Sequence, residues 1–256
     1  MTADLTSKFE SDASVVGNWL SLPEPAIAEL FASMPFDFVI IDMEHTAITL
    51  EQVTEAVRAI DAADGEVGSI VRLPGHDADL IDRVLDVGVD GLMLPMVETA
   101  AEAASIVESC RYPPAGTRGV GPGRGATYGL DLQETIETDD DSFAITVQIE
   151  SPEAVDNARE IAAVDGIDAL FVGPGDLSML LGSFGEIDDR LHDRIDAVIE
   201  GAADAGTPVG TIGVGEEQIA AFGGLDFDFF VVGFDAQLLV EGTEQALASY
   251  ESVSSR

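Results

Sequence analysis

The chain has 256 residues, enough for one large domain or two small ones, and 46% are hydrophobic, which excludes a disordered polypeptide. Asp and Glu total 49 against 11 Lys and Arg, a formal net charge of −38. With no basic patch to meet phosphates, that balance argues against nucleic acid and anionic membrane as partners.

The acidic residues are spread along the chain, Asp139-Asp140-Asp141 being the only run. Such charge repels itself in dilute buffer and is screened in molar salt, where the Debye length is roughly 3 Å. The composition is that expected of a cytoplasmic protein from a halophile. Cys110 is the lone cysteine, so no disulfide forms, and it reads as a small buried helix residue. No run reaches the roughly 18 apolar residues of a membrane helix. The N-terminal MTADLTSKFESDAS lacks a signal peptide's apolar core and reads as a flexible polar arm over residues 1–14. Lys8, in that arm, is the only lysine.

From there, short apolar runs alternate with amphipathic stretches. Strands are expected at Val15–Leu20, Phe38–Ile41, Ser69–Leu73, Gly91–Leu94, Ile145–Glu150, Ala169–Gly173, Pro208–Ile212 and Phe229–Gly233. Helices are expected at Pro25–Ser33, Leu50–Ala62, Asp77–Val87, Thr99–Cys110, Pro152–Ala163, Asp189–Ala205, Glu216–Phe222 and Ala236–Ser252. The near-continuous apolar strands suit a parallel sheet covered by helices. Eight strand–helix units without a linker predict an α/β fold, a single (β/α)8 TIM barrel over residues 15–256; a doubly wound open sheet is the alternative. Two Gly/Pro-rich segments interrupt the repeat, residues 111–142 and 174–188. Long loops in a compact domain are commonly functional, and both are expected near the active face or its rim.

In a TIM barrel the site lies at the carboxyl ends of the strands. There this chain places Trp19, its only tryptophan; Asp42, Glu44 and His45; Arg72; Gln148 and Glu150, two apart and so on one face; Gly173-Pro174-Gly175-Asp176; and Ile212. Each has an ordinary reading as well. Asp42 could be a strand-end turn residue, His45 a hydrogen-bonded loop histidine, Arg72 half of a structural ion pair, and Glu150 and Asp176 helix caps. What sets them apart is that all fall at the same end of their strands. Glu150 and Asp176 offer hard oxygen ligands suited to Mg²⁺ or Mn²⁺, with Co²⁺ an option. Arg72 presents a planar cationic fork for a carboxylate or enolate oxygen. Glycines at 173 and 175 let backbone approach a ligand, and His45 can move a proton near neutrality. Together they predict a site that binds a 2-oxo acid on a metal and moves a proton at its C3.

These residues carry a resemblance. "FDFVIIDMEHT", "VRLPG", "GLMLPMVETAAEA", "RYPPAGTRGVG", "VQIESPEAVDNAREIAAVDGIDALFVGPGDLSMLLG" and "VVGFDAQLL" resemble the HpcH/HpaI family of metal-dependent pyruvate aldolases, from about Trp19 to Leu239. The family includes hydroxy-oxoheptanedioate and 2-keto-3-deoxy sugar-acid aldolases on a phosphoenolpyruvate/pyruvate-type barrel. The resemblance implies a class II aldolase, cleaving a 4-hydroxy-2-oxo acid to pyruvate and an aldehyde. It implies His45 as general base, Arg72 as transition-state stabiliser, and Glu150 and Asp176 as metal ligands. Gln148, with the backbone around Gly175 and Asp176, matches the substrate contacts. Asp42 and Glu44 then orient His45 or bind metal-bound water.

Asp86, in "VLDVG", matches an acidic residue that raises the histidine's basicity in the family. The barrel reading puts it far from its own active face, so an adjacent subunit should supply it, unless it is a surface aspartate. The resemblance further implies a homo-oligomer, a hexamer or trimer of barrels, with the last helix exchanged between neighbours. The insertion "RGVGPGRGATYG" is about two residues shorter than in the heptanedioate aldolases, so the aldehyde is not carried over; Arg124 and Tyr128 are candidates for its distal end.

Schiff-base chemistry is excluded because no strand carries a lysine, and the GVGPGRG stretch is no dinucleotide fingerprint, so no nucleotide cofactor is expected. Two other functions stay open: a citrate-lyase-β or malyl-CoA-lyase type acting on a CoA thioester, and a metal-dependent 2-oxo-acid binder without turnover. The former needs a basic nucleotide-binding surface, for which only Arg118 and Arg124 are candidates.

Overall fold

The structure is a computed structural model that describes residues 4–11, 13–63, 66–138 and 142–254. The acidic run at 139–141 lies outside the described residues. Eight parallel strands close a barrel in sequence order: β1 (Val15–Leu20), β2 (Phe38–Asp42), β3 (Gly68–Arg72), β4 (Gly91–Leu94), β5 (Ala144–Ile149), β6 (Ala169–Val172), β7 (Val209–Ile212) and β8 (Phe229–Phe234). Around it run α2 (Pro25–Ala32), α3 (Leu50–Ala62), α4 (Ala78–Leu85), α5 (Ala100–Cys110), α7 (Pro152–Asp156) with α8 (Ala158–Ala162), α10 (Asp189–Ala205) and α11 (Gly215–Phe222). This is the expected TIM-type fold. The starts of α3 and α5 are fixed by reciprocal capping, Thr49 with Gln52 and Thr99 with Glu102.

The apolar alternation along each strand splits the core in two. Val39, Ile41, Val71, Leu92, Val147 and Leu170 face the helices. Phe38, Ile40, Ile70, Met93, Phe171 and Phe229 fill the barrel interior. The interior aromatics demand glycine on neighbouring strands: a Cβ on Gly17 would sit 2.2 Å from the Phe38 ring, and one on Gly210 2.2 Å from the Phe229 ring.

Three expectations are corrected. The arm is not free: Leu5–Phe9 form a helix, α1, whose Leu5 and Phe9 are buried in the barrel's N-terminal mouth. Phe9 stacks on Phe229 with ring centroids 4.1 Å apart. Leu5 and Phe9 lie four apart, one helical face, among polar neighbours that hide the signal.

Second, the stretch Pro152–Ala163 breaks at Asn157, the C-cap of α7, whose side-chain amide donates to the Glu98 carbonyl at 2.8 Å. Third, segment 111–142 follows a helix and precedes a strand, which places it at the N-terminal face, opposite the active mouth. It carries α6 (Leu132–Thr138) and is tied to the lower ends of α3 and α4. Gly125 N–H donates to the Asp86 carbonyl at 2.9 Å, Arg124 to the Val87 carbonyl at 3.0 Å, and Arg58 to the Tyr128 hydroxyl at 2.9 Å. Segment 174–188 does follow a strand at the active face, and opens with α9 (Pro174–Leu180).

The last helix, α12 (Asp235–Ser254), leaves the barrel, and Asp235 is the one residue it buries. Leu239, Val240, Leu247, Tyr250 and Val253 are each more than half exposed. No helix among the described residues is long and apolar enough to cross a membrane.

Candidate active site

A pocket of about 330 Å³ opens at the carboxyl end of the barrel, lined by the expected residues except Glu44, which stands behind Arg72, and except Asp86, Arg124 and Tyr128, which lie on the opposite face. Ser21, Thr46, Phe171, Val214 and Phe234 also line it and were not anticipated. They sit on the same strand ends and loops, but such common residue types give no signal on their own.

β2 and β3 pair in a register that sets Asp42 opposite Arg72. Arg72 Nε donates to Asp42 Oδ1 at 3.0 Å, and Nη2 to Oδ2 at 2.8 Å. Nη1 lies 2.8 Å from Glu44 Oε2, and the guanidinium stands 4.6 Å from the centroid of the Trp19 ring. Burial pushes the Asp42 carboxyl up, but the hydrogen bonds and charge of Arg72, with backbone N–H groups of Glu44 and His45, outweigh it and hold it below the usual range. Asp42 therefore holds Arg72 and the backbone of the following turn, not the His45 ring. His45 itself stands at the rim, its side chain 64% exposed, with Nε2 3.7 Å from Glu44 Oε2.

Opposite lies Glu150, 3% exposed. Gln148 Nε2 donates to its Oε1 at 2.8 Å, and Met96 N–H to its Oε2 at 3.1 Å. Gly173 lets it fit: a Cβ there would sit 2.6 Å from Glu150 Oε1. Burial pushes the Glu150 carboxyl up to about 7; the Met96 N–H opposes this, while the negative charges of Asp176 and Glu44 add to it. Burial likewise raises Glu44, against the pull of Arg72 and His45. The Met96 contact could not have been read from sequence, because it is made by backbone.

Asp86 closes the far end of α4 and lies 3.9 Å from buried Arg118, whose guanidinium covers the Tyr112 ring. Burial raises Asp86, which Arg118 opposes. The helix that carries Asp86 runs away from the mouth, so its own His45 is at the other end of the barrel.

The model of the HpcH/HpaI aldolase/citrate lyase family matches residues 16–242. The chain belongs to this family. Membership makes it a carbon–carbon lyase. Its sequence is 39% identical to the 4-hydroxy-2-oxovalerate aldolase of Novosphingobium aromaticivorans, over 91% of this chain and 88% of that protein. It is 35% identical to the hydroxypyruvate/pyruvate aldolase of Chromohalobacter salexigens, over 92% of each. Among solved structures, an HpcH/HpaI aldolase/citrate lyase family protein from Burkholderia cenocepacia superposes with a TM-score of 0.93 at 33% identity, covering 98% of this chain and all of that one. The citrate synthase SbnG superposes at 0.87 with 28% identity over the whole of both chains.

Proposed function

We propose that this HpcH/HpaI lyase is a divalent-metal-dependent class II aldolase that reversibly cleaves a 4-hydroxy-2-oxo acid to pyruvate and an aldehyde. The observation that carries the reading is the pairing of a clamped cation, Arg72, with two carboxylates, Glu150 and Asp176, across one pocket.

The residues fit a divalent cation. Asp42, Glu44, Glu150 and Asp176 face a single cation, Arg72, and Glu150 is driven toward its protonated form by that excess as well as by burial. Gln148 Oε1 is buried with no hydrogen-bond partner among the described residues, an acceptor awaiting a donor from water or substrate. Among the described residues no three His, Cys, Asp or Glu side chains gather into a cage. Two carboxylates with positions left to water and substrate suit Mg²⁺ or Mn²⁺, held by Glu150 and Asp176. When bound, the cation supplies Lewis-acid stabilisation of the negative charge that develops on the 2-oxo group.

The chain's own groups do the rest. Arg72 donates to the C2 oxygen as it gains negative charge, and its orientation is already fixed by Asp42, Glu44 and Trp19. Backbone N–H groups of Gly175 and Asp176, at the first turn of α9, receive the carboxylate. In cleavage the C4 hydroxyl loses its proton toward His45, the C3–C4 bond breaks, and its electron pair moves to the C2 oxygen. Protonation at C3 then releases pyruvate. Two adjacent barrels complete the site in this reading, the neighbour bringing Asp86 toward His45 and α12 crossing between them.

The likeness to a citrate synthase supports one alternative, condensation of the same enolate with another partner. The CoA-thioester version loses support from the structure. Arg118 is buried beside Tyr112, and Arg124 is tied to Asp61 and Val87, both on the opposite face from the pocket.

The test is exchange of pyruvate C3 protons in D₂O, followed by NMR in molar KCl with Mg²⁺ or Mn²⁺. Exchange is expected, and is expected to vanish with EDTA or in His45→Ala. Absence of exchange from folded, metal-supplied protein would overturn the reading.

A further inference from the structure

The chain has three histidines, and His76, in the loop between β3 and α4, has no part in the pocket lining. Its Nε2 lies 2.6 Å from the carbonyl oxygen of Pro95. A carbonyl can only accept, so Nε2 carries the proton and His76 donates. That carbonyl and the N–H of Met96 belong to one planar peptide unit and, in the trans form, point to opposite sides of it. The N–H side faces Glu150 Oε2 at 3.1 Å. His76 and Glu150 therefore hold the same peptide plane from its two ends.

The plane needs holding. Met96 has φ 51°, a left-handed conformation that L-residues avoid, and its residue is 42% exposed, so packing does not lock it. Turning the peptide would relax Met96 and point its N–H away from Glu150. A donor on the carbonyl also polarises the N–H at the other end of the same amide, strengthening its bond to the carboxylate.

We propose that His76 is a positioning residue, fixing the Pro95–Met96 peptide so that Glu150 presents its oxygens to the divalent cation in one orientation. The proposal rests on Glu150 being a cation ligand, as in the aldolase reading above. The imidazole is exposed, so replacing it leaves the core intact.

The experiment titrates the full-length protein with Mn²⁺, reading free Mn²⁺ by electron paramagnetic resonance. It compares wild type with His76→Leu and His76→Gln, of similar size, only the latter keeping an N–H donor. His76→Leu is expected to bind Mn²⁺ about three- to tenfold more weakly, and His76→Gln within about twofold of wild type. At saturating Mn²⁺ the pyruvate exchange rates of all three are expected to agree within about twofold, because the side chain touches neither substrate nor cation. Thermal unfolding midpoints check that the fold is unchanged.

Equal affinity in all three proteins overturns the proposal. So does an equal loss in both variants, since the donor is then not what matters. Wild type that neither binds Mn²⁺ nor exchanges pyruvate protons removes the aldolase reading itself, and this inference with it. Wild type that binds and exchanges while His76→Leu matches it leaves the aldolase reading standing and removes only the role of His76.

Discussion

Asp42 and Arg72 are register partners on adjacent parallel strands, and they meet through two parallel contacts of 3.0 and 2.8 Å. The pair gives the pocket a cation whose plane is set before substrate arrives. Asp42→Asn keeps the shape but removes the charge and turns an amide donor toward a guanidinium donor. It is expected to cost about 1–3 kcal/mol of stability, Glu44 limiting the loss, and to slow pyruvate exchange about 10- to 100-fold. Arg72→Lys is not expected to preserve activity, because an ammonium lacks the planar fork. The stabilisation from the depressed Asp42 carboxyl is present above its ordinary pKa of 3.8 and lost as pH falls through its lower folded value. Denaturant unfolding and exchange rates measured on the same samples check both halves.

Glu150 works with the opposite sign. Its carboxyl is raised by burial from 4.5 to about 7 in the folded protein. Without a cation, the stability this gives is fully present below 4.5 and lost as pH rises through about 7, a swing of roughly 3 kcal/mol. Metal-free Glu150→Gln should therefore show a smaller fall in melting temperature than wild type between about pH 5 and about pH 8. Mg²⁺ is expected to stabilise wild type at the higher pH and to have little effect on the variant. Parallel pH profiles for the two metal-free proteins would contradict this.

These two carboxylates show how much of the molecule was legible. The strand runs, the barrel and the end of it that carries chemistry follow from period-2 burial and from polar residues gathered at strand ends. The partners of those residues do not. Sequence offers Asp42 and Glu44 as neighbours of His45, but side chains alternate along β2, and cross-strand register hands Asp42 to Arg72. The Met96 N–H and the His76–Pro95 contact involve backbone, which has no letter in the sequence. Segment 111–142 is expected near the active face or its rim, but it follows a helix and leads into a strand, and that order returns it to the N-terminal face.

The net charge of −38 makes salt a direct handle on stability. Few cations oppose it, and pairs such as Arg159 with Asp204 and Arg194 with Asp156 are exposed and of small worth. Raising KCl from about 0.1 M to about 2 M shrinks the Debye length to below a side-chain diameter and should raise the melting temperature by roughly 10 °C. An uncharged osmolyte at equal osmolarity is expected to achieve less. A salt-independent melting temperature would remove the reading of the acidic surface as an adaptation to high salt.

The separation of Asp86 from its own His45 gives a test that needs no knowledge of the aldehyde. One is at the far end of α4, the other at the rim of the mouth, so no motion within one barrel joins them. If the neighbour supplies Asp86, an oligomer of His45→Ala subunits has no base, and one of Asp86→Asn subunits has a base without its partner. Co-expression in equal amounts brings an intact His45 from one chain beside an intact Asp86 from the other, at up to about a quarter of the sites. Exchange activity in the purified mixed oligomer should then exceed the mean of the two parents. Among the described residues of α12 only Asp235 is buried, and removing residues 237–256 keeps it. That truncation is expected to dissociate the assembly on light scattering and to abolish the complementation. Activity in the mixture no higher than the mean of the parents would place each site within a single chain, leaving Asp86 as a structural partner of Arg118.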